Sequence, residues 1–151
     1  MDIYRIPRRE VSVELLLIDG RHLDGTIFTS EIGPDGLPEQ VLHHLNDPGE
    51  DFVPLVCGGE AFLLNKAGIL WVQLAALEAE LIEDDAPAIR IPTRLTLAGG
   101  LSVAGTLAIV MPPERSRTVD FLNAAGRFLP VHGDGTVTLV QRRFVVTVHG
   151  G

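Results

Sequence analysis

The chain has few of the residues that would place it outside the cell or in a membrane. It contains one cysteine, Cys57, in 151 residues, so no disulfide can form within it. This is typical of proteins from a reducing compartment. The apolar residues, 46% of the total, never form a run of about eighteen, the length that a membrane-spanning helix needs. Residues 1–9 also lack the apolar stretch of a signal peptide, and we therefore expect a cytoplasmic protein.

Basic residues are scarce and unevenly placed. The chain has 12 Lys and Arg against 20 Asp and Glu, a net charge of −8. Residues 1–76 carry −7 and residues 77–85 carry −5, whereas residues 86–151 carry +4. Because nucleic-acid binding needs clustered Lys and Arg, a phosphate-tracking surface over the whole protein is not expected. The asymmetry either serves solubility alone or lets an acidic front attract a basic back, within one chain or between chains.

One construction is present twice in the sequence. Phe52-Val53-Pro54-Leu55 corresponds to Phe128-Leu129-Pro130-Val131, 76 positions later. Leu63-Leu64-Asn65-Lys66 corresponds in the same way to Leu139-Val140-Gln141-Arg142. Gly25-Thr26, in an earlier apolar alternation, corresponds to Gly105-Thr106. We therefore predict one small β-rich module written twice.

The first copy shows the predicted order of elements. Apolar alternation over 11–18 and 22–28, around the turn signal Asp19-Gly20, predicts a hairpin. Val41, Leu42 and Leu45 form the stripe of a short helix. Three strands near 52–57, 60–65 and 68–74, with very short connections, must be antiparallel neighbours.

The same order in both copies fixes the expected fold class and domains. We predict a mainly β protein of two tandem five-stranded, partly open barrels, each with one short helix between its second and third strands. Residues 1–74 form the first barrel with an N-terminal arm, 75–88 a linker helix, and 89–151 the second barrel.

Comparison of the two copies predicts which side chains point outward. Val137 and Leu139 alternate with threonines and are expected inside, as are Val146 and Val148 in the last strand. By correspondence Ala61, Leu63, Leu70 and Val72 point inward, which leaves an additional apolar face outside the first barrel. Its residues are Leu16, Ile18, Phe62, Leu64, Ile69 and Trp71. A large apolar patch usually marks a contact, so the face packs on the linker helix or second barrel, joins a homodimer, or binds a foreign protein.

Side chains that carry out chemistry do not form a recognisable set. The five histidines are dispersed, and the neighbours His43 and His44 point about 100° apart on a helix. Cys57 lacks the positioned histidine and electropositive setting of a catalytic thiol. We predict no catalytic residue, no metal and no cofactor.

A short arginine pattern allows an alternative function. Arg5, Arg8 and Arg9 precede the first strand, and Ser30 and Gly33 follow the second. This arrangement resembles the cyclic-dinucleotide site of the PilZ domain family. The resemblance implies that arginines there grip phosphate and stack on a base, although Phe28 stands where that family has an acidic residue or Asn.

A second resemblance concerns the fold. Val11, Val13 and Leu15, followed by Asp19-Gly20 and Gly25-Thr26-Ile27, are similar to the first half of Sm-like domains. The resemblance implies a strongly bent SH3-like barrel but no uridine site, since Thr29–Gly33 replaces the Asp and Asn of that family. Residues 117–131 also resemble small bacterial domains of unassigned function.

Two functions follow as hypotheses. The first is a non-enzymatic adaptor or assembly module, expected to be a homodimer, that binds protein partners through edge strands and the apolar face. The alternative is a nucleic-acid or cyclic-dinucleotide binding protein that uses the basic arm or the basic second barrel.

Overall fold

The computed structural model describes residues 8–31, 39–75, 89–109 and 118–150. The elements of the first half are β1 (Arg8–Leu17), β2 (His22–Ser30), α1 (Val41–Asn46), β3 (Phe52–Cys57), β4 (Glu60–Asn65) and β5 (Ile69–Leu74), with a 3₁₀ turn at Lys66–Gly68. Those of the second half are β6 (Ile89–Leu97), β7 (Ser102–Ile109), α2 (Thr118–Ala124), β8 (Phe128–His132), β9 (Val137–Gln141) and β10 (Val145–Gly150), with a 3₁₀ turn at Arg142–Phe144. The predicted linker helix, apart from Ala75, lies outside the described residues.

Local sequence accounts for these elements. In β1 the alternating residues Val11, Val13, Leu15 and Leu17 are all buried, as the period of two requires. Gly20 takes a positive φ of 90° in the turn that follows. The predicted hairpin is therefore confirmed.

Two glycines let neighbouring strands approach closely. A Cβ on Gly25 of β2 would lie 2.7 Å from Leu55 Cδ1 and 2.8 Å from the Val56 carbonyl oxygen of β3. A Cβ on Gly105 of β7 would lie 2.5 Å from the His132 carbonyl oxygen of β8. No side chain fits at either position, which explains a glycine in the middle of each strand.

All ten strands form one antiparallel sheet in the order β10-β6-β7-β8-β9-β5-β1-β2-β3-β4. The predicted mainly β class is confirmed, but the prediction that β4 and β5 are antiparallel neighbours is wrong, because β5 pairs with β1 and β9. β10 and β4 lie at the two ends of this order, and no pairing between described strands closes the sheet into a barrel. The division into two barrels therefore stays a prediction.

The two halves use corresponding pairing registers. Phe52 pairs with Asn65 between β3 and β4, and residues 76 positions later, Phe128 and Gln141, pair between β8 and β9. β1 with β5 and β6 with β10 also correspond, including an irregularity that leaves Leu70 in one half and Val146 in the other without a partner. We call residues at corresponding positions counterparts: they lie 76 apart from residue 50 onward.

Two apolar cores lie along the sheet. The first core takes side chains mainly from the first half, including Leu15, Ile27, Leu45 and Leu55. The second core takes them mainly from the second half and comprises Leu95, Leu97, Leu107, Ile109, Leu129, Val131 and Val140. Phe128, Val137 and Leu139 belong to the second half of the chain but pack in the first core. The two halves therefore share side chains as well as a sheet.

The shared strand explains one wrong prediction. All five residues of β9 are buried, because Val137 and Leu139 face the first core while Val140 faces the second. Their alternation therefore does not identify the interior of the second half. Transferred to β4, it placed Ala61 and Leu63 inside, but both are exposed.

The irregularity in the last strand of each half explains another error. An extra residue in one strand reverses the alternation of faces on either side of it. Val146, predicted inside, is exposed. Leu70 and Val72, predicted inside, are buried, and Val148 is partly buried against the second core.

Candidate interaction surface

The two halves meet where β5 pairs with β9, and we call this pairing the inner seam. Trp71 lies opposite Val140, Val72 opposite Leu139, Gln73 opposite Thr138 and Leu74 opposite Val137. Side chains cross the seam in both directions. Leu139 and Phe128 are 0% and 1% exposed in the first core, and Trp71 packs against the second core. The seam is therefore an apolar contact as well as a row of backbone hydrogen bonds.

Asn46, the last residue of α1, fastens the two halves together. Its side-chain oxygen accepts a hydrogen bond from the Phe128 N–H at 2.7 Å, and its Nδ2 donates to the Phe128 carbonyl at 3.3 Å. Gly126 leaves room for this side chain, since a Cβ there would lie 2.8 Å from Asn46 Nδ2. One amide thus satisfies both backbone polar groups of the residue that enters the first core.

Gln141 makes a second polar link across the inner seam. Its side chain is fully buried, and Nε2 donates to the carbonyls of Lys66 at 2.9 Å and Ile69 at 2.6 Å. Arg127 donates from Nε to Gln141 Oε1 at 3.1 Å and orients the amide. These bonds attach the end of β9 to the turn that precedes β5.

Lys66 and its counterpart Arg142 each serve the helix of their own half. The fully buried Lys66 Nζ donates to the carbonyls of His44 and Asp47, at 3.1 and 3.0 Å, at the end of α1. Arg142 donates to the carbonyls of Leu122 and Asn123 at the end of α2. Helix C-terminal carbonyls carry partial negative charge, which favours a cation there.

Burial lowers the pKa of Lys66 from its ordinary value of 10.5. Asp47 opposes this change, and the like charge of Arg127 across the inner seam adds to it. Glu50 and Asp51 raise the Lys66 pKa by smaller amounts. A cation of the first half and a cation of the second therefore lie near each other at the inner seam.

At the two ends of the sheet the counterparts of these buried residues are exposed. Leu63 on β4 is 75% exposed, and Phe52 at the start of β3 is 54% exposed. They are the counterparts of Leu139 and Phe128. Together with Phe62 they form what we call the β4 edge. At the other end Val146 on β10, the β10 edge, is 66% exposed, whereas its counterpart Leu70 is 6% exposed.

The predicted apolar face divides between surface and core. Ile18 and Phe62 are exposed as predicted, and Leu16 and Trp71 are half-buried and pair with each other across β1 and β5. The prediction that Leu64 and Ile69 point outward is wrong, because both side chains lie in the first core. The correspondence with β9 wrongly predicts an exposed Leu64, and alternation across the irregularity at Leu70 wrongly predicts an exposed Ile69.

The six predicted residues do not form one contiguous patch. Ile18 lies in the turn after β1, and Phe62 lies on β4, three strands away in the sheet order. Phe52 and Leu63 were not predicted as surface residues. The sequence signal for them was misleading, because both resemble residues that are buried in the second half.

Part of the arginine pattern is brought together. Arg8 and Ser30 lie opposite each other on β1 and β2. The Arg9 guanidinium donates to the Glu39 carbonyl, and the Ser30 N–H donates to Glu39 Oε1. Glu39 thus contacts both Arg9 of β1 and Ser30 of β2. The prediction that Arg8 and Arg9 precede the first strand and that Ser30 follows the second is wrong, because the three residues belong to these strands. Arg5 and Gly33 lie outside the described residues.

Other features of the described residues do not assemble a second site. A cleft of about 620 Å³ beside Gly58-Gly59 includes Glu14 and Asp24 among its lining residues. Cys57 is a free thiol packed against the first core. Within the described ranges no three His, Cys, Asp or Glu are grouped to hold a metal. Neither described helix has the length and apolar character to cross a bilayer.

The surface that the geometry singles out is therefore the pair of sheet ends, β4 and β10. Comparison with known proteins adds no function to it: no family model, no curated protein and no solved structure matches this chain.

Proposed function

We propose that this protein is a non-enzymatic cytoplasmic assembly module, in which one β-β-α-β-β-β barrel unit is repeated in tandem, and that it binds protein by accepting an added strand at β4. The observation that carries the proposal is the contrast between β4 and β9. The two strands have corresponding registers, yet β9 is buried along its whole length and four of the first five residues of β4 are exposed.

An edge strand of this kind is suited to binding protein. It presents unpaired N–H and C=O groups, to which an extended segment of another chain adds as a further strand. Natural proteins usually protect such edges with Lys, Pro or a bulge. β4 (Glu60-Ala61-Phe62-Leu63-Leu64-Asn65) has no Lys or Pro, and its register with β3 is regular. The β4 edge therefore combines backbone partners with the apolar side chains that give an interface its affinity.

Matched contacts support the proposed repeat of one unit. The Lys66 N–H donates to the Asp51 carbonyl at 2.8 Å, and 76 positions later the Arg142 N–H donates to the Arg127 carbonyl at 2.8 Å. Equivalent bonds at equivalent positions support two copies of one unit, joined at the inner seam.

Site-specific photocrosslinking in living cells tests the proposed function. A benzophenone side chain at Leu63 is expected to give covalent adducts with protein, whether a second copy or another chain. The same group at Ile18, which is also exposed (57%, against 75% for Leu63) but belongs to neither sheet end, is the control and is expected to give none. Absence of any protein adduct at Leu63, with the variant folded, would contradict the proposal.

A further inference from the structure

The inner seam shows how the free edge of a strand in one half pairs with a strand of the other half. It joins β9, the fourth strand of the second half, to β5, the fifth strand of the first half. The fourth strand of the first half, β4, and the fifth strand of the second half, β10, are the two ends of the sheet. The two uncovered strands are thus the counterparts of the two strands that already bind each other inside the chain.

We propose that the occupant of the β4 edge is β10 of a second copy of this chain, paired antiparallel in the register of the inner seam. This inference rests on the proposed function and names its partner. Transfer of the inner register places Thr147 opposite Leu64, Val148 opposite Leu63, His149 opposite Phe62 and Gly150 opposite Ala61 of the other copy.

The apolar residues of the β4 edge match this occupant. Leu139 and Phe128 pass from the second half into the core of the neighbouring half. Their counterparts Leu63 and Phe52 are the large exposed side chains of the β4 edge. In the proposed seam they lie against the second core of the next copy, beside β10. Both side chains thereby become buried as their counterparts are.

The polar link of the inner seam has its counterpart as well. Leu45-Asn46 at the end of α1 corresponds to Leu122-Asn123 in α2. Asn46 holds the backbone of Phe128, whereas Asn123 is exposed beside the β10 edge. In the proposed seam Asn123 holds the backbone of Phe52 in the next copy.

Charge favours this pairing over pairing of two β4 strands. At the inner seam the positive charge of Arg127 lies near enough to Lys66 to lower the Lys66 pKa, so like charges are close there. Their counterparts are Asp51 and Arg142, which face each other with opposite charge in the proposed seam. Two β4 strands paired about a two-fold axis would instead bring Glu50, Asp51 and Glu60 of one copy close to the same acidic residues of the other copy.

The contact is head-to-tail, so two paired copies still have one free β10, on the first copy, and one free β4, on the second. Such heterologous contacts propagate, and they give a closed ring when the rotation between copies closes and an open chain when it does not. A heterologous seam also has a property that a two-fold dimer lacks: its two sides are blocked by different substitutions.

Mixing of variants blocked on opposite sides tests the inference. Leu63→Asp places a charge on the β4 edge and leaves β10 intact, and Val146→Asp does the reverse. Ile18→Asp is the control for the same change away from both ends. Mass is measured by light scattering on purified full-length protein over a range of concentrations, with circular dichroism to verify folding.

We expect the unmodified protein and Ile18→Asp to form assemblies larger than a dimer at high concentration. Each blocked variant alone is expected to be a monomer, and an equimolar mixture to form a 1:1 heterodimer that does not grow. A mass that stays monomeric for the unmodified protein overturns the inference. So does a dimer of Val146→Asp alone, which would indicate two-fold β4 pairing.

The two proposals fail in different ways. If photocrosslinks at Leu63 join a foreign protein and the purified chain stays monomeric, the edge binds protein but its occupant is not a second copy. If neither crosslinks nor assemblies occur, both proposals are wrong.

Discussion

The inner seam and the two ends of the sheet are built from corresponding strands, but only the seam is covered. Leu139 and Phe128 are buried at the inner seam, whereas Leu63 and Phe52 are exposed at the β4 end of the sheet. Residues of the same type at corresponding positions therefore differ in environment alone. This gives matched pairs of substitutions, in which one member tests packing within the chain and the other tests packing between chains.

The proposed contact between chains should be weaker than the inner seam. Trp71 and Leu70 are replaced at the β10 edge by the smaller Thr147 and Val146, so less apolar surface is buried. Gln141, which makes two bonds across the seam, is replaced by Asn65. That shorter side chain already accepts a hydrogen bond from the Ala67 N–H at 3.0 Å.

A third difference concerns space. Glu50 stands at the counterpart of Gly126, where the inner seam has room only for a glycine beside Asn46. The glutamate must turn aside for Asn123 to reach Phe52. We therefore expect a reversible assembly, in contrast to the permanent seam within each chain.

The largest difference is expected for leucine truncation. Leu139→Ala removes a fully buried side chain from the first core and should lower the free energy of unfolding by about 3 kcal/mol. Leu63→Ala should change it by less than about 0.5 kcal/mol in the monomer, because the side chain is mostly exposed. Urea unfolding at low protein concentration measures both. Equal losses would mean that Leu63 is packed in solution.

Much of the fold was predictable because it depends on local pattern. The alternation of β1, the turn at Asp19-Gly20 and the bounds of β3 and β4 follow from side-chain period and turn chemistry, and the structure confirms them. The joining of the two halves was not predictable in the same way. It depends on which strands meet across the sheet, and the sequence of β9 does not indicate that it serves two cores.

The candidate site was predictable only in part for the same reason. Phe62 is exposed as expected, yet Leu64 and Ile69 are in the first core. Periodicity shows that successive side chains of a strand point to opposite faces, but it does not show which face is buried. One extra residue in the strand also exchanges the two faces beyond it. Phe52 and Leu63 required knowledge of which strand ends the sheet.

The next largest loss of stability is expected for substitution of Asn46, whose side-chain amide lies at the end of α1. Asn46→Ala removes both bonds to the Phe128 backbone and leaves that N–H and carbonyl without partners, at a cost of about 2 kcal/mol. Asn123→Ala, on the exposed counterpart, should leave the monomer nearly unchanged and weaken self-association. Thermal unfolding and light scattering separate the two outcomes. A large loss of monomer stability in Asn123→Ala would assign that residue to the interior of its own half.

A smaller, pH-dependent effect is expected for Lys66, the only lysine in the chain. Lys66→Met removes the bonds to the α1 carbonyls but also the cost of burying a charge, so the loss near pH 7 should be about 1 kcal/mol. Burial lowers the Lys66 pKa in the folded state below 10.5. Between the lowered pKa and 10.5 the unfolded chain therefore binds more protons, and stability from this group rises with pH.

The comparison of the two proteins isolates this group, because every other titrating residue is common to both. The stability of the unmodified protein relative to Lys66→Met should increase as pH rises through the lowered pKa of Lys66 toward 10.5 and become constant above it. A difference that is independent of pH would show that Lys66 titrates alike in the folded and unfolded states.

The smallest effect is expected for charge across the proposed contact between chains. Asp51→Arg should weaken self-association by less than about 1 kcal/mol, because both partners are exposed and screened by salt. The loss should be smaller at 1 M salt than at 0.05 M, whereas the effect of Leu63→Asp on the apolar contact should persist.

Comparison of Asp51→Arg with Leu63→Asp separates the charge interaction that orients the chains from the apolar contact that stabilises the assembly. If Asp51→Arg proved as damaging as Leu63→Asp at high salt, Asp51 would contribute packing rather than charge, and the register transferred from the inner seam would be wrong.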